Sequence, residues 1–591
     1  MLGWVKRGGW VLVAVSLVFP AAHAAEPEAF MRLAEIRPGM RGVGRTVIRG
    51  TRVEEFSFEV LGTTEGPSGR LVLFRAYGPV IEQAGGVAAG MSGSPMYLQG
   101  RLAGALSYSY VFAGPDRNLG LFTPIERMLE LLEAGRPAAH HPGLMRLDRP
   151  LRLGGRTVDH ILVARDVASG RAASARMGIP AFAPVVTPLV VSGLGDRAFR
   201  LLRASLSPLP VVPVQGYGGV GRFPEAPLVP GSAVGVALAR GDVNLVAFGT
   251  LTYRRGRRFL GLGHQMLGSG ESAYMLTTAY IHTVVRSLEM SFKEGDLGNV
   301  VGTVTRDRAA GIGGELGRLP RIFNVVVRVV DRDGGRSLQL GTHMVRRRDL
   351  AQALIPGLVL SAIERGWDAS GGGTAEVRIA ARARGLPRPV ERTNRVYSAR
   401  DVAAAAVLDV VEATRILFHN EFAPLEPVDL SVEVTLTRRP LIASVVEVEA
   451  EHRTVPQGGK LRVRLRLRPF QEEQWTRVVE IQVPQNFPRG PALLVVGSAG
   501  SSREAVDPTN LLLSRVAGEP QPTRFDSLEQ ELEFFERFGR NTDVLLQLIP
   551  TGIPPSDDPA KRFIYFDAFA GEILPTDWVV RGEVVIPIVV E

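Results

Sequence analysis

From about Ala25 to Arg318 short apolar and β-branched runs are punctuated by Gly and Pro, a texture that specifies many short strands rather than a helical domain. Val53 to Leu61 and Arg70 to Phe74 alternate apolar and polar residues as half-buried strands do. A short helix is expected from Pro124 to Glu133, with Pro in its first turn. After Leu319 the pattern becomes one of alternating strands and helices. Phe323 to Val330 reads as a strand, Asp349 to Arg365 as a helix and Thr374 to Ala383 as a strand. Ser398 is placed to cap a long Ala-rich helix over Asp401 to His419, ahead of a strand from Leu430 to Thr437. Alternation from Leu441 to Val496, including Leu461 to Leu467, suggests an immunoglobulin-like sandwich with too few strands to be complete. Ser527 and Gln530 form a capping box for a helix to Phe538, followed by strands near Val544 to Ile549 and Val579 to Val590.

At 591 residues the chain exceeds what one hydrophobic core supports, which implies three or four domains. Lys6 and Arg7 precede the apolar run Trp10 to Phe19 and then Ala22-His23-Ala24, the pattern of a cleaved secretory signal over residues 1–24. No later segment reaches the ~18 uninterrupted apolar residues of a membrane span. A periplasmic or secreted protein without a transmembrane span after signal cleavage is therefore expected. With no cysteine, the chain has no disulfide, no thiol nucleophile, no Cys-based zinc site and no acylated lipoprotein anchor. The net charge of +9 comes almost entirely from arginine, since Lys6, Lys293, Lys460 and Lys561 are the four lysines among 69 basic residues. Arg254-Arg255, Arg257-Arg258 and Arg346-Arg347-Arg348 are short clusters spread over predicted strands and loops, which reads as solvated surface and not as a nucleic-acid face.

The chemistry concentrates in Gly90-Met91-Ser92-Gly93-Ser94-Pro95. A nucleophilic serine needs small neighbours that leave its Oγ clear and backbone N–H groups turned toward an oxyanion. Downstream stand Gly100-Arg101-Leu102-Ala103-Gly104-Ala105 and Thr123-Pro124-Ile125-Glu126-Arg127-Met128-Leu129. Far along the chain, Gly231 to Val236 and Phe248 to Tyr253 lead into Leu262-Gly263-His264, with a thinner match through Gly302-Thr303-Val304 to Gly311-Ile312-Gly313. These blocks resemble the SpoIVB-type serine peptidases, the stage IV sporulation protein B family, although the His block precedes the Ser block in the family and follows it here. A catalytic triad is recognised by geometry and not by order. The resemblance implies Ser92 as nucleophile, His264 as general base and the amides of Gly90 and Ser92 as oxyanion donors. Ser94 takes the place of a glycine in the chymotrypsin-like Gly-Asp-Ser-Gly-Gly-Pro turn, so Ser92 is preferred to it.

The family carries its acid about fifteen residues before the nucleophile, where this chain has Tyr77-Gly78. The His264 tautomer would then be held by a backbone carbonyl or by another carboxylate such as Glu271 or Asp296. His140-His141 with His160 do not form a metal site, because adjacent loop histidines point apart, and no His-Glu-x-x-His helix occurs. No Walker loop or dinucleotide fingerprint stands between a strand and a helix, so no cofactor is expected.

The expected fold class is mainly β with α/β additions. It comprises a chymotrypsin-like double β-barrel, permuted, over residues 25–318 with an insertion at about 135–230, an α/β domain over 319–440, an immunoglobulin-like domain over 441–500 and a C-terminal α/β segment over 501–591. The expected function is an exported serine endopeptidase cleaving an envelope protein or itself. The competing expectation is a silent peptidase-like scaffold that binds a cell-envelope partner.

Overall fold

A computed structural model describes residues 30–591 apart from 67–68, 113–115, 134–142, 154–155, 186–187, 208, 210, 217–218, 222, 225, 288–290, 368–370, 387, 501–507, 518–524 and 554–558. The expected secretory signal over residues 1–24 and the His140-His141 pair lie outside the described residues. The fold is mainly β and is built from several sheets.

The first sheet begins with β1 (Arg41–Thr46), β2 (Glu54–Glu65) and β3 (Leu71–Tyr77). Helix α1 (Pro79–Ala84), β4 (Pro95–Leu98), β5 (Arg101–Tyr110) and β6 (Leu119–Pro124) follow. These six strands run in the order β1-β4-β5-β6-β3-β2, all antiparallel, and β1 pairs back onto β2, so the pairings form a closed ring. Alternate residues of β2 point inward, as its sequence alternation requires. Phe58, Phe74 and Phe122 meet inside the ring with centroids 5.7 to 6.1 Å apart. After α2 (Ile125–Leu129), the strands β7 (Gly143–Leu153), β8 (Arg156–Val163) and, beyond α3 (Val167–Met177), β9 (Ala181–Pro184) extend the sheet from β2, and β9 returns to pair with β5.

The second sheet starts with β10 (Leu189–Ser192), α4 (Asp196–Ser205) and β11 (Pro213–Gln215). Residues 135–230, expected as an insertion between two halves, thus supply three strands to the first sheet and two to the second. Then come β12 (Ala233–Gly241), β13 (Asn244–Arg255), β14 (Arg258–Gly261), β15 (Gly270–Val285), β16 (Phe292–Arg308) and β17 (Gly311–Leu316). Their order β13-β14-β17-β16-β15-β12, with β12 pairing back to β13, makes a second antiparallel six-stranded ring.

The change of texture at Leu319 falls in the connection after β17, yet the sheet does not stop there. β18 (Ile322–Asp331) and β19 (Arg336–Val345) precede α5 (Arg348–Gly366), β20 (Gly373–Arg384), β21 (Val390–Ser398), α6 (Val402–His419) and β22 (Glu426–Thr437). β19 pairs with β12, so the α/β region and the second ring share a single hydrogen-bonded sheet, and α4, α5 and α6 share its apolar core. Asp401, and not Ser398, caps α6 by accepting from the Ala404 amide. Ser398 instead accepts from the amides of Arg400 and Asp401, one turn too early for a cap.

The remaining strands form two sheets over one core. Ile442–Ala450, Lys460–Pro469, Trp475–Gln482 and Val579–Arg581 make one sheet, while Gly490–Ser498 pairs with Asp543–Pro550 and Glu583–Val590 in the other. Leu465 and Ile481 from the first pack with Leu494, Leu546 and Ile588 from the second. The strands missing from 441–500 therefore come from beyond residue 540. Among the described residues no helix is long and apolar enough to cross a membrane.

Candidate active site

The Ser92 turn links α1 to β4. Gly90 (φ 90°) and Gly93 (φ 88°) adopt the left-handed conformations that glycine alone takes without strain. The Met91 amide donates to the Ala88 carbonyl at 3.0 Å and the Ser94 amide to the Met91 carbonyl at 3.0 Å. Ser94 Oγ also donates to the Met91 carbonyl, at 2.6 Å, and so braces the turn. Among the described residues Ser92 Oγ is buried with no hydrogen-bond partner, which separates the two serines as the resemblance does.

Among the described residues the amides of Gly90 and Ser92 donate to no backbone carbonyl, although their neighbours do. Each belongs to a peptide unit whose carbonyl is held from behind. The Ala89 carbonyl, joined to the Gly90 amide, accepts from the Lys293 amide at 3.0 Å. The Met91 carbonyl, joined to the Ser92 amide, accepts from both donors of Ser94. A peptide polarised at its oxygen is the better donor at its nitrogen, so the pair is prepared for an anion.

His264 follows β14 through two consecutive left-handed residues, Leu262 (φ 63°) and Gly263 (φ 68°). A leucine held there costs roughly 1–3 kcal/mol, a strain that surrounding packing must impose. The Gly263 carbonyl accepts from Thr123 Oγ1 at 2.7 Å. His264 Nδ1 lies 2.6 Å from the carbonyl of Gln265, so Nδ1 carries the proton and Nε2 the lone pair. Among the described residues Nε2 is buried without a hydrogen-bond partner. Burial pushes the imidazole pKa below its usual 6.5, against the opposing pull of the Gln265 and Val185 carbonyls and the Asp307 charge. Among the described residues the Val185 carbonyl exerts that pull without a hydrogen bond to the ring.

Of the orienting groups weighed from sequence, the backbone carbonyl is the one present at Nδ1. Glu271 is exposed and pairs across the strands with Arg306, and Asp296 accepts from the Gly219 amide and lies 3.2 Å from His282. The nearby carboxylate is Asp307, on β16, which sequence reasoning missed. It is fully buried and accepts from the amides of Met266 at 2.7 Å and Leu267 at 2.8 Å, fixing the loop just beyond His264. Asp307→Asn removes one of these acceptor oxygens, and a loss of about 1–3 kcal/mol in unfolding free energy is expected from denaturant titration.

The two turns lie against each other and each ring holds the other's turn. From β13 the Thr250 amide donates to the Ser92 carbonyl at 2.9 Å, Thr250 Oγ1 to the Gly90 carbonyl at 3.1 Å and Thr252 Oγ1 to the Gly93 carbonyl at 2.7 Å. From β6 Thr123 returns the contact to Gly263. Ser92 and His264 thus stand at one junction, both buried and not hydrogen-bonded to each other.

No family model, curated protein or solved structure matches the chain. What the site can do therefore rests on its own geometry. Among the described residues no group of three metal-ligating side chains is assembled, and His160, on β8, pairs with Asp159 at 2.9 Å.

Proposed function

We propose that the protein is an exported serine endopeptidase of SpoIVB type, acting on an envelope protein or on itself. Its two rings would be the barrels of a chymotrypsin-like fold with the Ser and His halves exchanged in sequence. The observation that carries this reading is the coincidence, at one ring junction, of a buried serine Oγ and a buried imidazole Nε2 that both lack partners. An unsatisfied buried polar atom costs about 1–3 kcal/mol, and two at one place point to a use outside folding.

In this mechanism Ser92 Oγ attacks the scissile carbonyl while His264 Nε2 takes its proton. The amides of Gly90 and Ser92 receive the oxyanion, and the imidazolium returns the proton to the leaving amine. Water, deprotonated by the same nitrogen, then attacks the acyl-serine, and the imidazolium gives that proton to the departing Ser92 Oγ, which restores the free enzyme and releases the acid. The Gln265 carbonyl does the orienting that an aspartate does in a full triad, without its negative charge, so turnover is expected to be slow and selective.

A fluorophosphonate probe tests the assignment. The purified mature protein is expected to take one label per chain, at Ser92, and Ser92→Ala none. Because neutral imidazole persists to lower pH than in a free histidine, the acid limb of the labelling rate should lie below pH 6.5.

A second reading is favoured by the full burial of Ser92 and by the absence of a carboxylate at His264 Nδ1. In it the rings are a silent scaffold and the C-terminal sheets bind an envelope partner. An unlabelled wild-type protein, with native envelope cleavage unchanged by Ser92→Ala, would establish the scaffold and exclude the peptidase.

A further inference from the structure

Lys293 lies on β16 under the Ser92 turn and is 1% exposed. Its strand bridges the turn where Phe292 pairs with Ala89, and its alkyl stem packs on Gly90, whose absent Cβ would fall 2.9 to 3.0 Å from the lysine Cβ, Cγ and Cδ. The amine donates to Thr46 Oγ1 at 3.0 Å and to Thr250 Oγ1 at 3.4 Å. Thr250 Oγ1 in turn donates to the Gly90 carbonyl at 3.1 Å. The groups facing the amine are the hydroxyls of Thr46 from β1 and Thr250 from β13, with the turn's backbone beside it and Val284 as cross-strand neighbour on β15. Among the described residues no carboxylate pairs with it.

We propose that Lys293 is a positioning residue of the Ser92 site, fixing the peptide units on both sides of Gly90 and placing a positive charge behind the oxyanion amides. The inference rests on the peptidase reading. One peptide unit is held by the Lys293 amide, which bonds the Ala89 carbonyl and so polarises the Gly90 N–H. The other is held by the relay from the ammonium through Thr250 to the Gly90 carbonyl, since a hydroxyl that accepts from a cation is a stronger donor. A merely structural position would be filled more stably by methionine, because burying an unpaired ammonium is costly. Burial brings the amine to about 7, so its charge is present in mildly acidic solution and lost in mildly alkaline solution. Arginine, used almost everywhere else in the chain, does not release its proton and has no such range.

The test is the second-order rate of fluorophosphonate labelling against pH in the mature protein, in Lys293→Met, in Thr250→Val and in the double variant. The ratio of wild-type to Lys293→Met rates is expected to be about 10 to 100 at pH 6, the size of effect seen when oxyanion stabilisation is weakened, and to shrink as the pH rises through 7 to 9. Taking the ratio cancels the contribution of His264. The double variant should be no slower than the slower single, because both substitutions cut one relay. Lys293→Met should melt no lower than wild type. A ratio near one throughout, or a ratio that does not change with pH, overturns the proposal while the peptidase reading stands. A wild-type protein that takes no label overturns both. If Lys293→Met does not fold, Thr250→Val, which keeps the amine and cuts the relay, is expected to slow labelling at pH 6 by a smaller factor that shrinks as the pH rises, and a factor of one throughout overturns the proposal.

Discussion

His264→Gln is expected to slow fluorophosphonate labelling of Ser92 by about two to four orders of magnitude, the usual contribution of a positioned general base. Thermal stability should not fall with it. Nε2 makes no hydrogen bond to lose, and the glutamine amide can donate to the Gln265 carbonyl in place of Nδ1. Residual labelling should survive through the Gly90 and Ser92 amides, which do not depend on the histidine. Rates from timed quenches, read beside a melting curve, decide the matter. A reduction of less than tenfold in a folded variant would remove His264 from the mechanism and leave Ser92 in need of another base.

The second large effect is on folding. A Cβ at Gly93 would lie 2.0 Å from the Thr250 carbonyl oxygen and 2.5 Å from the Leu262 nitrogen, both backbone atoms that cannot step aside. Gly93→Ala is therefore expected to cost about 3–5 kcal/mol in unfolding free energy, the range of severe overpacking and strain. Gly100 is the control. It has a similar left-handed φ of 75°, yet a Cβ there meets nothing within 4 Å, so Gly100→Ala carries only the conformational cost of roughly 1–2 kcal/mol. If denaturant midpoints fall equally in the two variants, the close approach of the Ser92 and Leu262 turns is wrong.

What could be read in advance was what lies close together in sequence. The Ser92 turn announces itself because its glycines, serine and proline are contiguous, whereas Leu262-Gly263-His264 stands out in the sequence only through its resemblance to a family block, and the left-handed backbones of Leu262 and Gly263 are visible only in the structure. Asp307 carries no comparable mark. It sits between Arg306 and Arg308 in a long strand and serves amides some 40 positions earlier, a relation set by the β15–β16 pairing and invisible to local pattern. Lys293 left one trace, its rarity as a lysine in an arginine-rich chain. The incomplete sandwich at 441–500 has the same origin as Asp307, since its missing strands arrive from beyond residue 540. The cap of α6 failed for a different reason. Ser398 and Asp401 are both good caps, and the backbone extends one turn further before it coils.

The reciprocal threonine contacts also order events in time. Thr250 and the Gly90 carbonyl it holds are 160 positions apart, and Thr123 is 140 from the Gly263 carbonyl. A chain emerging N-terminus first completes its first ring with the nucleophile turn lacking the hydroxyls that fix it. The histidine is held in place only when the second ring closes, because β15, β16 and β17 all follow it in the chain, and that ring shares a sheet with strands as late as Glu426–Thr437. On the peptidase reading, the serine is thus without its base during synthesis and export until more than half the polypeptide has passed. A protein carrying such a site would be kept from premature self-cleavage by the order of its own assembly.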